Sequence, residues 1–138
     1  MDNTKKGWYI KLEKSGKQLE KVLAKPTVFN RLLYFTTYTY TQSADLCAVG
    51  GVSKEYVVEF LSGGGALNVD EMSDLSGTPS ADRSKEVGTG APSAPVITVN
   101  MKGKASVIIE TTSGQVSSQA AFSPTTNREV LYWREVIP

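Results

Sequence analysis

Short runs of β-branched and aromatic residues, separated by glycine, proline and asparagine, are the feature that most constrains this chain. The runs lie at residues 8–12, 27–29, 32–38, 55–60, 96–99, 105–111, 115–118 and 130–136. β-Branched and aromatic residues favour strands, and clusters of Gly, Pro and Asn favour turns. The pattern therefore predicts an all-β protein built from antiparallel strands.

Two further segments need a separate argument. Residues 18–24 have the propensity of a helix, but they are few and lie between a turn at Gly16 and Pro26, so we predict a strand. Residues 73–93 are rich in small residues and in glycine and proline, with no apolar periodicity. This composition predicts a long loop or linker.

The strand pattern contains an internal repeat. Residues 26–37 and 95–112 each begin with proline, continue as strand, turn and strand, and contain a Thr-Thr pair. A glycine and another strand follow each unit. Such self-similar antiparallel units are typical of β-propeller blades. Propellers have about four to eight blades, and about two are recognisable here, so we expect part of a larger propeller, a closed sandwich or barrel, or pairing with itself through exposed strand edges.

The length of 138 residues suits one domain. We predict a single all-β domain over residues 1–138, with a first blade-like unit at 1–65, a long loop at 66–95, and a second unit with a terminal strand at 96–138. No apolar run approaches the roughly 20 residues of a membrane-spanning helix. The first residues also lack the apolar core of a signal peptide.

Composition removes several classes of catalytic and metal site. Histidine is absent, and Cys47 is the single cysteine. Zinc sites of the usual Cys/His type, His-dependent nucleophiles and disulfide frameworks all need more of these residues. We predict a protein that is not an enzyme, with no catalytic residue, no cofactor and no metal.

Charge is unevenly distributed along the chain although the net charge is only +1. Lys and Arg exceed Asp and Glu by eight to three in residues 1–31, and the acids lead by eight to three in residues 32–101. The lysines of the first segment are spaced as on a solvated face. We therefore predict no nucleic-acid partner.

Acidic residues cluster in one segment, at residues 68–77. Asn68, Asp70 and Asp74 invite comparison with a calcium loop, but Met72 breaks the alternation of oxygen ligands, so a solvated acidic loop is the favoured interpretation. The carboxylate pairs that could perform acid–base chemistry also fall in predicted loops, where solvation is expected. These pairs are Asp70 with Glu71 and Asp82 with Glu86.

Tyrosines alternate along the strand that begins at residue 32. Tyr34, Tyr38 and Tyr40 share one strand face. An exposed aromatic face could bind a sugar or peptide, whereas a buried one packs across strands, and packing is the commoner case. Cys47 is either a small semi-buried apolar side chain or a cysteine whose partner lies outside this segment.

Six short motifs occur in order over nearly the whole chain. They are residues 22–28 (VLAKPTV), 33–38 (LYFTTY), 45–51 (DLCAVGG), 55–60 (EYVVEF), 88–95 (GTGAPSAP) and 131–135 (LYWRE). In this order they resemble the C-terminal propeller of the PilY family of type IV pilus biogenesis factors. The strand and Thr-Thr elements alone would also fit quinoprotein-type propellers. Such a protein would need cofactor-contacting Trp, Arg and Asp residues and a metal site, whereas Trp8 and Trp133 lie at opposite ends of the chain and no acidic cluster has good ligand geometry.

The resemblance implies an extracellular protein of the cell surface or the pilus. Such proteins support pilus assembly, oppose retraction and take part in adhesion, through contacts with pilus or minor pilin proteins and without membrane insertion. Cys47 matches the family's loop cysteine. The family's regulatory calcium loop and its N-terminal adhesive region have no counterpart among these residues.

Overall fold

The computed structural model describes residues 7–12, 14–15, 18–41, 50–67 and 83–121. In these residues the protein is all-β, its strands pair antiparallel, and no α-helix occurs, so none can cross a membrane as a helix. The strands are β1 (Lys14–Ser15), β2 (Gln18–Val22), β3 (Thr27–Phe29), β4 (Leu32–Thr39), β5 (Val52–Glu59), β6 (Ser84–Thr89), β7 (Val96–Val99), β8 (Ala105–Glu110) and β9 (Val116–Ala120).

In the larger of the two sheets, most neighbouring strands are also consecutive in the chain. Its strand order is β1-β2-β4-β5-β6, and β3 also pairs with β4. The two long central strands, β4 and β5, are in register from Leu32 opposite Glu59 to Thr39 opposite Val52. A bulge between Ser53 and Lys54 adjusts the pairing of β5 with β6. The central strands therefore place each side chain on one of two well-defined faces.

β2 and β3 act as one interrupted strand along the same edge of β4. Val22 lies opposite Thr37 and Thr27 lies opposite Tyr34, so the interrupted strand has two more residues than its partner between these pairs. Pro26 lies in the interruption, where its missing N–H removes no ladder hydrogen bond. Residues 23–26 therefore bulge out of the sheet.

The hairpin between β3 and β4 closes with a two-residue turn. Asn30 and Arg31 both have positive φ, 50° and 65°. Positive φ at both central positions defines a type I′ turn, whose twist suits a tight hairpin. The predicted turn at these two residues is confirmed.

The smaller sheet contains β7, β8 and β9 in chain order. In the turn between β7 and β8, Asn100 Oδ1 accepts hydrogen bonds from the backbone N–H groups of Lys102 (3.0 Å) and Lys104 (2.9 Å). β7-β8-β9 and β3-β4-β5 thus have the same antiparallel order, as the repeat in the sequence predicts.

The two sheets share a central core. Buried residues of both sheets, and of the chain that follows β5 and β9, contribute to it: Leu32, Tyr34, Val57, Leu67, Val107, Ile109 and Ala121. The crossing segment at residues 90–95, which leads from the larger sheet to the smaller one, is hydrogen-bonded to the larger sheet. Thr36 Oγ1 donates to Ser93 O at 2.9 Å, and Thr27 Oγ1 donates to Pro95 O at 3.0 Å. One face of the larger sheet is therefore covered by the smaller sheet.

Two predicted segments are corrected by the structure. Residues 8–12 are not a strand, because their apolar side chains pack onto the face of the larger sheet instead of pairing at an edge. Residues 84–89 lie in the predicted loop but form β6. Its backbone pairs with β5, and an edge strand needs no apolar alternation. The predicted strand at residues 130–136 lies outside the described residues.

Candidate functional site

An apolar groove lies on the face of the larger sheet that the smaller sheet does not cover. Its volume is about 280 Å³. All seven lining residues are apolar or aromatic, namely Trp8, Ile10, Leu12, Val22, Pro26, Leu33 and Phe35. Apolar concavities of this kind favour apolar ligand groups or partner side chains.

The floor of the groove comes from the central strands. Phe35 of β4 stacks on Tyr56 of β5, with ring centroids 4.8 Å apart and an angle of 12° between the rings. The two residues are opposite one another in the register, and Val58 beside them is fully buried. Stacked cross-strand aromatic residues give this floor a fixed shape.

One wall of the groove is the segment of residues 7–12. Trp8, Ile10 and Leu12 point toward the sheet, whereas Tyr9 is 78 % exposed. Trp8 Nε1–H donates to the carbonyl of Phe60 at 2.9 Å. The Trp8 hydrogen bond therefore fixes this segment to the turn that follows β5.

The opposite wall comes from the interrupted strand. Val22 ends β2 and is 46 % exposed, and Pro26 lies in the bulge before β3. Because the bulge moves the chain out of the sheet, this wall stands beside Leu33 and Phe35 and does not cover them.

The charge beside the groove is positive in the described residues. Lys11, between two lining residues, and Lys25, next to Pro26, are both exposed. Glu20 is the single carboxylate of residues 7–12 and 18–28, and it is buried with a hydrogen bond from the Thr37 hydroxyl. An apolar ligand segment with flanking carboxylates would therefore be favoured over one with flanking lysines.

A buried carboxyl group lies on the opposite face, between the two sheets. Glu55 of β5 is fully buried, and its Oε2 accepts a hydrogen bond from Gln119 Nε2 of β9. Its Oε1 has no hydrogen-bond partner among the described residues. Desolvation raises the pKa of Glu55 to about 7, although the positive charge of Lys85 acts to lower it.

The three tyrosines that the sequence offers as an alternative binding face do not form one. Tyr34 is fully buried in the central core, which is the packing role that the sequence favoured. Tyr38 is half-buried, and its hydroxyl donates to the carbonyl of Gly50. Tyr40 is the exposed member, at 58 %. One exposed ring does not make an aromatic platform for a sugar.

Several other candidates lie outside the described residues. They are Cys47, Asn68, Asp70, Glu71, Met72, Asp74, Asp82 and Trp133. Glu86, the partner proposed for Asp82, is an exposed residue of β6. The other half of the quinoprotein candidate, Trp8, is a wall of the groove with its N–H bonded to a backbone carbonyl. No group of three or more Cys, Asp or Glu side chains able to hold a metal occurs in the described part of the chain.

Sequence reasoning missed the groove and Glu55. Residues 33–38 and 22–28 are recognisable as motifs, but which of their side chains share a face depends on the bulge at Pro26. The burial of Glu55 could have been inferred from its position two residues before Val57 in the same strand, because this spacing puts the carboxyl on the same face as a core residue.

Comparison with known proteins gives no further constraint. The chain matches no protein-family model, no curated protein and no solved structure. Its functional interpretation therefore comes from its own residues and geometry.

Proposed function

We propose that this chain is a non-catalytic, protein-binding domain of a PilY-type pilus biogenesis factor, which supports pilus assembly and opposes retraction. The groove is the observation that carries this proposal. Its occupant is an extended segment of a pilin-class subunit that inserts apolar side chains and carries carboxylates on either side. The apolar lining fits the side chains, and Lys11 and Lys25 complement the carboxylates.

The positions of the motifs support the proposal. The motif at residues 22–28 spans the bulge and supplies Val22 and Pro26 to one wall of the groove. The motif at 33–38 is in β4 and supplies Leu33 and Phe35 to the floor. Two motifs on which the resemblance depends therefore contribute four of the seven lining residues.

We also propose that the two sheets are consecutive blades of a β-propeller. β2 with β3, then β4, β5 and β6, form a four-stranded meander in chain order, and β7, β8 and β9 form a three-stranded one. The two meanders pack face to face, as neighbouring blades do. In this proposal the parent protein is extracellular and associated with the pilus or the cell surface.

Self-association through strand edges stays a prediction of the sequence. Proline precedes two edge strands, with Pro26 before β3 and Pro95 before β7. Proline at such positions limits strand addition. Sedimentation of the purified chain over a range of concentrations would detect edge pairing as a concentration-dependent dimer.

A pair of matched substitutions tests the proposed function. Val22→Lys puts a charge on the groove wall, and Val116→Lys puts the same charge on β9, where the valine is 64 % exposed. Surface pili are counted on cells whose parent protein carries either substitution, with and without the retraction motor. We expect Val22→Lys to lower the pilus count, removal of the motor to restore it, and Val116→Lys to leave it unchanged.

Two outcomes would contradict the proposal. Unchanged pili with Val22→Lys would remove the groove as the contact with the pilus. Equal losses with both variants would mean that the effect is not specific to the groove. Binding of the purified variants to purified minor pilins, followed by calorimetry, separates a lost contact from a lost fold.

A further inference from the structure

Glu55 links the larger sheet to β9 of the smaller sheet through a buried polar contact beside the apolar core. It lies on the same strand face as Val57, whose side chain belongs to the central core. Its Oε2 accepts the hydrogen bond of Gln119, 64 positions later in the chain. Its Oε1 has no hydrogen-bond partner in the described part of the chain, so an ionised carboxylate there is only half solvated by the protein.

The charged and titratable groups that face Glu55 come from two strands. On β6, Lys85 lies opposite Glu55 in the register. On β4, Thr36 lies opposite, and the titratable tyrosines Tyr34 and Tyr38 lie diagonally on the same face. β9 contributes the neutral Gln119, and the crossing at residues 90–95 contains no titratable side chain. Lys85 is therefore the only cation of the described neighbours that can compensate the charge.

We propose that Glu55 is a proton-controlled contact between the sheets: the uncharged carboxyl holds β9 against β5, and its ionisation loosens β9. Ionisation places an incompletely compensated charge between two packed sheets. The protein responds at the contact that is easiest to open. β9 is that contact, because among the described residues it is an edge strand and Gln119 is its hydrogen-bond link to the carboxyl.

The direction of the pH effect follows from the raised pKa. An unfolded glutamate titrates near 4.5, whereas burial moves the pKa of Glu55 to about 7. The folded protein therefore retains this proton at pH values where the unfolded chain has lost it. The contribution of this proton to the free energy of unfolding is fully present below about pH 4.5. It falls as the pH rises toward 7 and is lost above the folded-state pKa.

Amide hydrogen exchange of the whole chain tests the proposal. Exchange is measured between pH 5 and pH 8.5 and corrected for its intrinsic pH dependence. We expect amides of β9 to exchange about tenfold faster or more at pH 8 than at pH 5, with no such change in β4 and β5. Glu55→Gln, which keeps the acceptor for Gln119 and cannot ionise, should remove the difference.

Glu86→Gln is the matched control, because Glu86 is an exposed glutamate of the neighbouring β6. It should preserve the pH dependence of β9. The same pH dependence in Glu55→Gln as in the unmodified chain would overturn the proposal, and so would β9 exchange that does not change with pH. A ¹³C NMR titration of the Glu55 carboxyl carbon gives a second readout that needs no variant, and a midpoint near 4.5 would also overturn it.

Discussion

The uncovered faces of the two sheets differ in the size and polarity of their side chains. On the larger sheet, the groove face carries bulky apolar residues, with Leu33, Phe35, Tyr56 and Val58 at its centre. On the smaller sheet, the register places small or polar residues on the outer face beside three aliphatic ones. These outer residues are Val96, Thr98, Ser106, Ile108, Glu110, Val116, Ser118 and Ala120.

This difference explains why only the groove face needs a cover. Large aromatic and aliphatic side chains gain about 25 cal/mol for each Å² removed from water, so residues 7–12 pack onto them. The outer face of the smaller sheet gains little from a cover, and Val96 and Val116 are 54 % and 64 % exposed there. Single exposed aliphatic side chains of this kind are ordinary on protein surfaces.

The same difference indicates which face is suited to a partner. The cover of the groove face is incomplete, since it leaves an apolar volume beside Leu33 and Phe35. An incoming apolar side chain can displace water there without unpairing any polar group of the lining. The outer face of the smaller sheet instead mixes serine and threonine with single exposed valines.

Removing a side chain from each face is the strongest test of the comparison. Phe35 is 8 % exposed and stacks on Tyr56, so Phe35→Ala should lower the free energy of unfolding by about 3–5 kcal/mol. Val116→Ala, on the outer face, should change it by less than about 0.5 kcal/mol. Urea unfolding curves measure both values. Losses of similar size would show that the two faces are packed alike.

Residues 7–12, which pack over the groove face, provide the next test. Trp8→Ala removes both the ring that packs over the sheet and the hydrogen bond to Phe60 O. We expect a loss of about 2–3 kcal/mol in the free energy of unfolding. Tyr9→Ala is the control, since Tyr9 is next in the chain and 78 % exposed. If the tyrosine substitution cost as much as that of the tryptophan, residues 7–12 would not be held by their apolar side.

Strands with local turn signals could be predicted from the sequence. The hairpin of β3 and β4 depends on Asn30 and Arg31, which are adjacent in the chain and adopt the positive φ of a two-residue turn. The turn at Lys102 and Gly103 is equally local. Local turn chemistry also fixes the register, so the pairing within each three-stranded repeat follows from the sequence pattern.

Features that depend on distant residues could not be predicted. The bond from Trp8 to Phe60 spans 52 positions and the bond from Gln119 to Glu55 spans 64. Alternation at residues 8–12 shows that one side is buried, but an edge strand and a segment lying across a sheet have the same alternation. β6 could not be predicted because its sequence lacks apolar alternation, which an edge strand held by backbone pairing does not need.

Two turns that contain glycine provide the test with the smallest expected change in the free energy of unfolding. Gly63 (φ 69°) and Gly114 (φ 81°) both have the left-handed conformation that disfavours side chains. Alanine should therefore cost about 1 kcal/mol at each position. At Gly63, however, a Cβ would lie 2.6 Å from the Trp8 ring, whereas at Gly114 it meets nothing within 4 Å.

Gly63→Ala should consequently destabilise the protein by about 1–2 kcal/mol more than Gly114→Ala, because the Trp8 ring must move away from the sheet. Urea unfolding gives the two costs, and tryptophan fluorescence, after subtraction of the Trp133 signal measured in Trp8→Ala, shows whether the Trp8 ring becomes more exposed in Gly63→Ala alone. Equal costs with unchanged fluorescence would mean that the ring adjusts without leaving the sheet. In Gly63→Ala combined with Trp8→Ala, the extra cost should disappear, since only the contact between this turn and the cover distinguishes the two glycines.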